Sequence, residues 1–564
     1  MKQLIECVPN FSEGRNMKII GLITAEIKKV EGVKLLDVDP GKATNRTVVT
    51  FVGTPDAVCE AAFRAVKKAA EVIDMRHHHG EHPRFGATDV CPLVPVSHIT
   101  MEEVVAYARK LARRIGEELN IPVYCYEFAA FEEKRQNLAS CRQGEYEGLP
   151  KKIASREWKP DFGPAAWNDA VALSGATAVG ARNFLIAYNV NLNTTSVRRA
   201  NAVAFDIREK GRAKRKGDPV NGNIITDENG NQVFEPGLLK AVKAIGWYIE
   251  EYGIAQISIN LTDLSVTPLH IAFDTACEQA RKRGLRVTGS EIIGVVPLNA
   301  MLEAGKYFLE KQNRSTGIPE KEIIKIAVKS LGLSDLRPFS PEKKIIEYIM
   351  TDPAERKLVN LSLAAFAGET ASESPAPGGG SVSAYTGALG ISLATMVANI
   401  SSHKTGWDSR WKEFSAWAEK GMKLQTELLS LVDEDTKAFN RIMEAFGLPK
   451  ESETDREARK KAIQEATRAA IEIPFRVMKI SAASFEIIKA MVQEGNPNSV
   501  TDVGVGALCA CTAVKGAFLN VRINSTSLSD KEYVKQVLEE GAIIEANAIR
   551  MEAEIMEMLR EKLV

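Results

Sequence analysis

The sequence predicts two α/β subdomains followed by an all-α helical bundle. Strand-like and helix-like runs alternate through roughly the first 350 residues, the signature of α/β layers. Beyond Leu358 strand patterns vanish and long runs rich in Ala, Leu and Glu take over. The chain has 564 residues, whereas single cores rarely grow beyond roughly 250–300 residues. These patterns divide it into subdomains at 1–181 and 182–350, a polar linker at 351–357 and a helical domain at 358–564.

Taken in order, Leu4 to Val8 is a strand, Pro9 to Gly14 a turn and Lys18 to Val30 a helix. Val33 to Asp39 and Arg46 to Val52 are strands, and Pro55 to Ile73 is a helix. Val90 to Val96 is a buried-type strand, followed by a helix at Thr100 to Leu119 and a strand at Val123 to Tyr126. A second α/β unit opens at Asn183. It carries a helix from Val197, a basic run at Lys210 to Lys216, and a hairpin at Ile224 to Phe234 turned by Asn-Gly. Gln256 to Leu261 is a strand and Pro268 to Lys282 a helix. Helices then run over Leu389 to Ser401, Trp411 to Phe446, Thr454 to Glu494, Thr501 to Asn520 and Asp530 to Leu563, with a break expected at Pro474.

Hydrophobic content of 45% and charged content of 26% describe a soluble globular chain. A net charge of zero gives nucleic-acid binding no electrostatic support. No run of 18 apolar residues and no signal pattern appear, so neither a membrane nor secretion is expected, and the composition is that of a cytoplasmic enzyme. The eight cysteines form no CxxC pair and read as reduced core thiols.

Chemistry concentrates between Asp74 and Val96. His77, His78, His79 and His82 lie inside this stretch and His98 just after it, five of the seven histidines. Imidazole takes and returns protons near neutral pH, which suits group transfer; solvated or capping histidines are the alternative. His78 and His82 have i,i+4 spacing for a metal, but Gly80 and Pro83 oppose a continuous helix there. Ser374-Pro-Ala-Pro-Gly-Gly-Gly-Ser-Val-Ser383 can expose backbone N–H groups to a ligand, or simply allow close helix packing. The basic run at 210–216 reads as a solvated surface or as the seat of a multiply acidic ligand tail.

Several motifs match a family. Ile5-Glu-Cys-Val-Pro-Asn-Phe-Ser-Glu-Gly14, Leu36-Asp-Val-Asp-Pro-Gly41, Thr44-Asn-Arg-Thr47 and His78-His-Gly-Glu-His-Pro-Arg84 resemble glutamate formimidoyltransferase. Pro375-Ala-Pro-Gly-Gly-Gly-Ser-Val382, Leu431-Val-Asp-Glu-Asp-Thr-Lys-Ala-Phe439 and Asn498-Ser-Val-Thr-Asp502 resemble formimidoyltetrahydrofolate cyclodeaminase. Nearly the whole chain is thus similar to the bifunctional formimidoyltransferase-cyclodeaminase family. The resemblance implies an enzyme of histidine degradation and one-carbon metabolism. It moves a formimidoyl group from N-formimidoyl-L-glutamate to N5 of tetrahydrofolate, then closes the ring to 5,10-methenyltetrahydrofolate and releases ammonia. Tetrahydrofolate, in polyglutamylated form, is the implied co-substrate, with no metal.

Residue by residue, the transferase's catalytic histidine falls on His82 and the cyclodeaminase's aspartate on Asp435. Asp39 and Arg84 are expected beside His82, to orient the imidazole and pair a substrate carboxylate. Folate-binding positions fall on Gly163, Pro164, Ala165, Ala166, Trp167 and Gly175, on Gly237, Leu238 and Leu239, and on Lys461. Residues 165–174 include an insertion, the 224–234 hairpin lengthens the approach to Gly237, and Leu238 stands where the family has an arginine. An apolar stripe along Val534 to Met558 predicts self-association, and the resemblance implies a homo-oligomer, a ring-like octamer built from dimers. Methenyltetrahydrofolate cyclohydrolases share the Pro-Gly-Gly-Gly-Ser loop and give an alternative for the helical domain. A folate-binding scaffold without activity is a second alternative, although it would be expected to lack His82 or Asp435.

Overall fold

A computed structural model describes residues 3–41, 45–80, 83–217, 222–351 and 357–563. It forms two compact units: Met1–Ala304 with Val328–Met350, and Gly305–Ala327 with Thr351–Val564.

The first unit opens with β1 (Leu4–Cys7) and β2 (Asn10–Phe11), one line of strand interrupted at Val8-Pro9, where proline has no N–H for a ladder. There follow α1 (Met17–Lys28), β3 (Val33–Gly41), β4 (Arg46–Gly53), α2 (Pro55–Val72), a 3-10 turn (Met75–His77), β5 (Thr88–Ser97), α3 (Met101–Leu119) and β6 (Val123–Glu127). Three short helices, α4 (Leu138–Arg142), α5 (Glu145–Ala154) and α6 (Asp169–Ser174), lead to β7 (Thr177–Ala181). In the sheet, β1 and β2 lie between β4 and β5, antiparallel to both, while β5, β7 and β6 run parallel and β3 forms an edge on β4. Ile5, Cys7, Phe51, Leu93 and Val179 pack with Ile23, Val58 and Leu111 of α1, α2 and α3. Side chains alternate along a strand, so Glu6, between Ile5 and Cys7, points to the opposite face.

The second sheet has the antiparallel order β13–β14–β8–β15. Its chain path is β8 (Ile186–Leu192), α7 (Val197–Ile207), the short strands β9 (Arg212–Ala213), β10 (Arg215–Lys216), β11 (Asn223–Ile224) and β12 (Phe234–Glu235), then β13 (Val242–Ile249), β14 (Ile254–Leu261), α8 (Leu269–Lys282) and β15 (Val287–Ile293). The hairpin forms as expected: Gly230 takes φ +81° and Asp227 accepts the Asn229 and Asn231 N–H groups. Helices α9 (Leu298–Lys311), α10 (Glu320–Ser330), α11 (Pro341–Lys344) and α12 (Ile346–Met350) follow.

The helical unit holds α13 (Leu363–Thr370), α14 (Gly379–Ser402), α15 (Trp411–Phe446), α16 (Glu453–Glu494), α17 (Val500–Ser525) and α18 (Lys531–Leu563). Its central helices α14 and α17 are long and apolar enough to cross a membrane by composition alone, yet over half of each apolar window is buried in this unit. Small residues bring them together, with a Gly390 side chain excluded by the Gly506 carbonyl. Three expectations need correction. Helix α14 starts at Gly379, well before Leu389, because its first turn is seated against α15 and α17. The stripe on α18 is largely internal, with Val537, Ala548, Ile555 and Leu559 buried in the core. Exposed apolar side chains remain on α18 (Ile543, Ile549) and lie also on α14 (Leu389, Ile400) and α17 (Leu519, Ile523).

The third correction concerns Pro474, through which α16 runs unbroken. Proline removes the N–H that the Ala470 carbonyl would accept. Asn524 of α17 replaces it, donating from Nδ2 to that carbonyl at 2.8 Å. Asn524→Leu should therefore strand a buried acceptor and cost about 1–3 kcal/mol, read as a lower denaturation midpoint for loss of helical circular dichroism. An unchanged midpoint would show that the carbonyl has another donor.

Candidate active sites

The motifs of the first unit, far apart in sequence, converge at the start of β5. Gly14 N–H donates to Asn45 Oδ1 (3.0 Å), Asn45 Nδ2 to the His79 carbonyl (3.0 Å), and Ser12 Oγ to the Gly86 carbonyl (2.7 Å). His78 is buried; its Nε2 lies 2.8 Å from the Asn45 carbonyl, and its Nδ1 accepts from Arg84 Nε at 3.4 Å. A carbonyl on one nitrogen and a guanidinium on the other select the neutral tautomer protonated at Nε2. Burial also lowers the His78 pKa, opposed by the Asn45 carbonyl. His78 thus anchors the loop and has no free nitrogen for catalysis.

His82 itself lies outside the described residues, as does Glu81. The 3-10 turn ends at His77, so His78 does not continue into the helix that an i,i+4 metal pair would need. Arg84 does not wait for a substrate carboxylate: its side chain is 8% exposed, and its fork is filled by Glu147 (2.8 and 3.0 Å) and Glu145 (3.1 Å). Asp39 is exposed on β3.

Beyond the loop, Gly175 takes φ +67°, and a side chain on it would meet the Phe85 carbonyl at 2.3 Å. The Ala176 and Ala87 N–H groups donate to the Phe85 and Ser174 carbonyls at 2.9 and 2.7 Å. Trp167 packs edge-on against Tyr146 (5.8 Å between rings), whose N–H donates to the Arg84 carbonyl. Trp167 and Gly175 are therefore brought to the histidine loop. Gly163 seats tightly against the Ile121 carbonyl, and Pro164, Ala165 and Ala166 connect it to Trp167. Gly237, Leu238 and Leu239 lie in the second subdomain along the last turn of α7, where Leu238 N–H donates to the Asp206 carbonyl at 2.8 Å. They have no described hydrogen bond to 163–175.

Two buried acids escaped the sequence analysis. Asp89 is fully buried, accepts Phe85 N–H (3.2 Å) and pairs with Arg142 (2.5 Å), which pins the far end of the loop. Glu6 is 5% exposed, and burial pushes its carboxyl up to about 7 against the pull of Arg182. The signal was available in both cases: a carboxylate inside or opening an apolar strand. Because the folded state raises the Glu6 pKa, its contribution to stability is lost as pH rises through about 7. Glu6→Gln should therefore gain Tm over wild type as the buffer goes from about pH 5 to about pH 8. A Tm difference that does not change with pH would contradict this.

In the helical unit, Asp433-Glu-Asp435 separates into three roles because successive helical residues point about 100° apart. Asp433 is buried and accepts the Leu358 and Val359 N–H groups at 2.8 and 3.3 Å, tying down the entry to this unit. Glu434 pairs with Arg476 of α16 at 3.1 Å. Only Asp435 turns to the glycine-rich loop. Ser381 donates to its carboxylate from its hydroxyl (3.1 Å) and also from its backbone N–H. A side chain on Gly380 would come within 2.2 Å of Asp435 Oδ1, so glycine there is what lets the carboxylate lie against the first turn of α14. Burial raises the Asp435 pKa, and the Ser381 hydrogen bonds oppose that shift. Lys461 is exposed on α16, pairing loosely with Glu465 (3.9 Å). Fifteen residues separate it from Arg476, the partner of Glu434, placing it roughly 20 Å along the helix from the Asp435 level.

Three family models match successive parts of the chain. Residues 4–182 match the formiminotransferase domain, N-terminal subdomain; residues 187–351 match the formiminotransferase domain; residues 362–542 match formiminotransferase-cyclodeaminase. A glutamate formimidoyltransferase of Streptococcus pyogenes serotype M1 is 41% identical over 56% of this chain and 95% of its own. A methenyltetrahydrofolate cyclohydrolase of Methylorubrum extorquens is 31% identical over 34% of this chain and 92% of its own. The formimidoyltransferase-cyclodeaminase of Rattus norvegicus is 41% identical over 531 residues, 94% of either chain. Likeness of that extent settles the family: this chain belongs to the formimidoyltransferase-cyclodeaminases.

Proposed function

We propose that the first unit transfers a formimidoyl group from N-formimidoyl-L-glutamate to N5 of tetrahydrofolate, and that the helical unit closes the product to 5,10-methenyltetrahydrofolate. In the transfer, N5 attacks the amidine carbon and the glutamate nitrogen leaves. N5 must lose a proton and the departing nitrogen must gain one, which a single imidazole at His82 can relay. In ring closure, N10 attacks the carbon of the protonated amidine, the carbon–amine bond breaks, and the N10 proton travels through Asp435 to join the departing NH2 as ammonia, leaving the positive charge on the methenyl bridge. The attack is intramolecular, so effective concentration is already high and the protein's task is proton handling. The observation that carries this reading is the Asp435 carboxylate, held by Ser381 beside the first turn of α14 with its pKa raised toward the working range of a proton relay.

The co-substrate in this proposal is a polyglutamylated tetrahydrofolate, contacted in the first unit by Gly163 to Trp167, Gly175 and Gly237 to Leu239. The chain self-associates through the exposed apolar sides of α14 and α17, an arrangement supported by Leu519 and Ile523, each 65% exposed. A cyclohydrolase reading of the helical unit is favoured by one of its relatives. Supplying 5-formimidoyltetrahydrofolate decides between them. Ring closure with deamination yields one ammonia per methenyl group formed, while a strict cyclohydrolase releases none.

A further inference from the structure

Helices α14 and α17 meet at close range beside the ring-closing carboxylate. Ser383 Oγ donates to the Gly379 carbonyl at 2.7 Å, and a side chain on Gly516 would come within 2.5 Å of that hydroxyl. Small residues thus seat the first turn of α14 on α17, and Asn520 lies about one helical turn beyond Gly516. The Asn520 amide borders the space that a side chain on Gly379 would take. The three nearest atoms to that position all belong to Asn520, with Nδ2 at 3.2 Å and Oδ1 at 3.7 Å. The corresponding position on Gly380 opens onto the Asp435 carboxylate instead. Two missing side chains in succession therefore set an amide and a carboxylate at neighbouring positions of one turn.

The orientation of the amide follows from what it touches. Asn520 Nδ2 donates to the Gly516 carbonyl at 2.9 Å. Turning the amide over would set Oδ1 against that carbonyl, two acceptors with no proton between them. Oδ1 is thereby held as the free end, and it has no partner among the described residues. Asn520 is half-buried, so its oxygen is partly shielded from competing water. We infer that Asn520 Oδ1 accepts a hydrogen bond from the formimidoyl nitrogen of 5-formimidoyltetrahydrofolate and so selects an amidine over a formyl group. That nitrogen carries N–H bonds as the amidinium, as the amine of the tetrahedral intermediate and as ammonia. One neutral acceptor therefore holds it throughout, while Asp435 moves the N10 proton. A formyl group presents a bare oxygen at the same place, and the pinned amide oxygen repels it. The inference rests on the ring-closing proposal, because that proposal supplies the substrate.

The test compares full-length wild type, Asn520→Leu and Asn520→Asp in ring closure of 5-formimidoyltetrahydrofolate, with 5-formyltetrahydrofolate as competitor. Asn520→Leu should lower kcat/KM about 10- to 100-fold, the worth of a hydrogen bond to a charged group. The formyl compound should compete against it as well as against wild type, or better. Asn520→Asp keeps the size and offers only acceptors, so it should retain the preference for the formimidoyl compound. Formimidoyl transfer and helical circular dichroism should stay unchanged in both variants, which separates selection from folding. An unchanged ratio of formyl Ki to formimidoyl KM in Asn520→Leu overturns the inference. Loss of the preference in Asn520→Asp also overturns it, since that would assign selection to Nδ2. Equilibrium binding of the two folates, compared between wild type and Asn520→Leu, reads the same ratio without turnover, because only the helical unit differs between them. A chain whose binding preference falls in Asn520→Leu, but whose wild type releases no ammonia, fails the ring-closing proposal and not this one.

Discussion

Gly380→Ala is expected to cut ring closure by about 100-fold or more, since angstrom-scale misplacement of a catalytic group costs that much, while formimidoyl transfer continues. The added methyl would sit 2.2 Å from Asp435 Oδ1 and 2.5 Å from its carboxyl carbon. The side chain of Asp435 must rotate away, losing the Ser381 hydrogen bonds that hold it. Because the obstructed group is the end of a side chain and not backbone, the helix pair should survive. Formimidoyltetrahydrofolate should accumulate in a well-folded protein. Normal ammonia release from this variant would mean that the carboxylate works from another position.

Gly86→Ala should do the converse. A side chain there would lie 1.9 Å from the Ala176 carbonyl oxygen, a clash with backbone that only a main-chain shift relieves. That shift breaks the Ala176-to-Phe85 and Ala87-to-Ser174 hydrogen bonds and the Ser12 contact to Gly86. All three hold the downstream end of the histidine loop. Transfer should fall by about 100-fold or more on the same geometric grounds, while supplied 5-formimidoyltetrahydrofolate is still closed with release of ammonia. Equal loss of both activities would show that the two units do not fold independently of this loop.

The architecture was legible because period-2 and period-3.6 patterning reports burial directly. What escaped depends on partners distant in sequence. Pro474 reads as a helix break, and only Asn524 on another helix explains why α16 continues. Gly379 and Gly380 read as loop, yet they form a helical turn whose missing side chains make room for Asn520 and Asp435. The stripe on α18 is real, but Val537, Ala548 and Ile555 are consumed inside the bundle, leaving Ile543 and Ile549 exposed.

The sites show the same division. The motifs of residues 5–14, 44–47 and 78–84 were visible as segments, but their convergence through Asn45 and Ser12 is tertiary. The role of Arg84 was misjudged because Glu145 and Glu147, which fill its fork, lie some sixty residues on. Composition alone does not distinguish the three adjacent acids; the resemblance pointed to Asp435, and helical rotation explains why that one faces the glycine loop.

The most direct measurement follows methenyl absorbance and ammonia together, with N-formimidoyl-L-glutamate and tetrahydrofolate supplied to wild type, His82→Ala and Asp435→Ala. Two sites acting in series predict that His82→Ala loses both signals. Asp435→Ala should instead convert the substrates only as far as formimidoyltetrahydrofolate, with neither ammonia nor methenyl product. Ammonia released by Asp435→Ala at the wild-type rate would contradict the assignment of ring closure to that carboxylate.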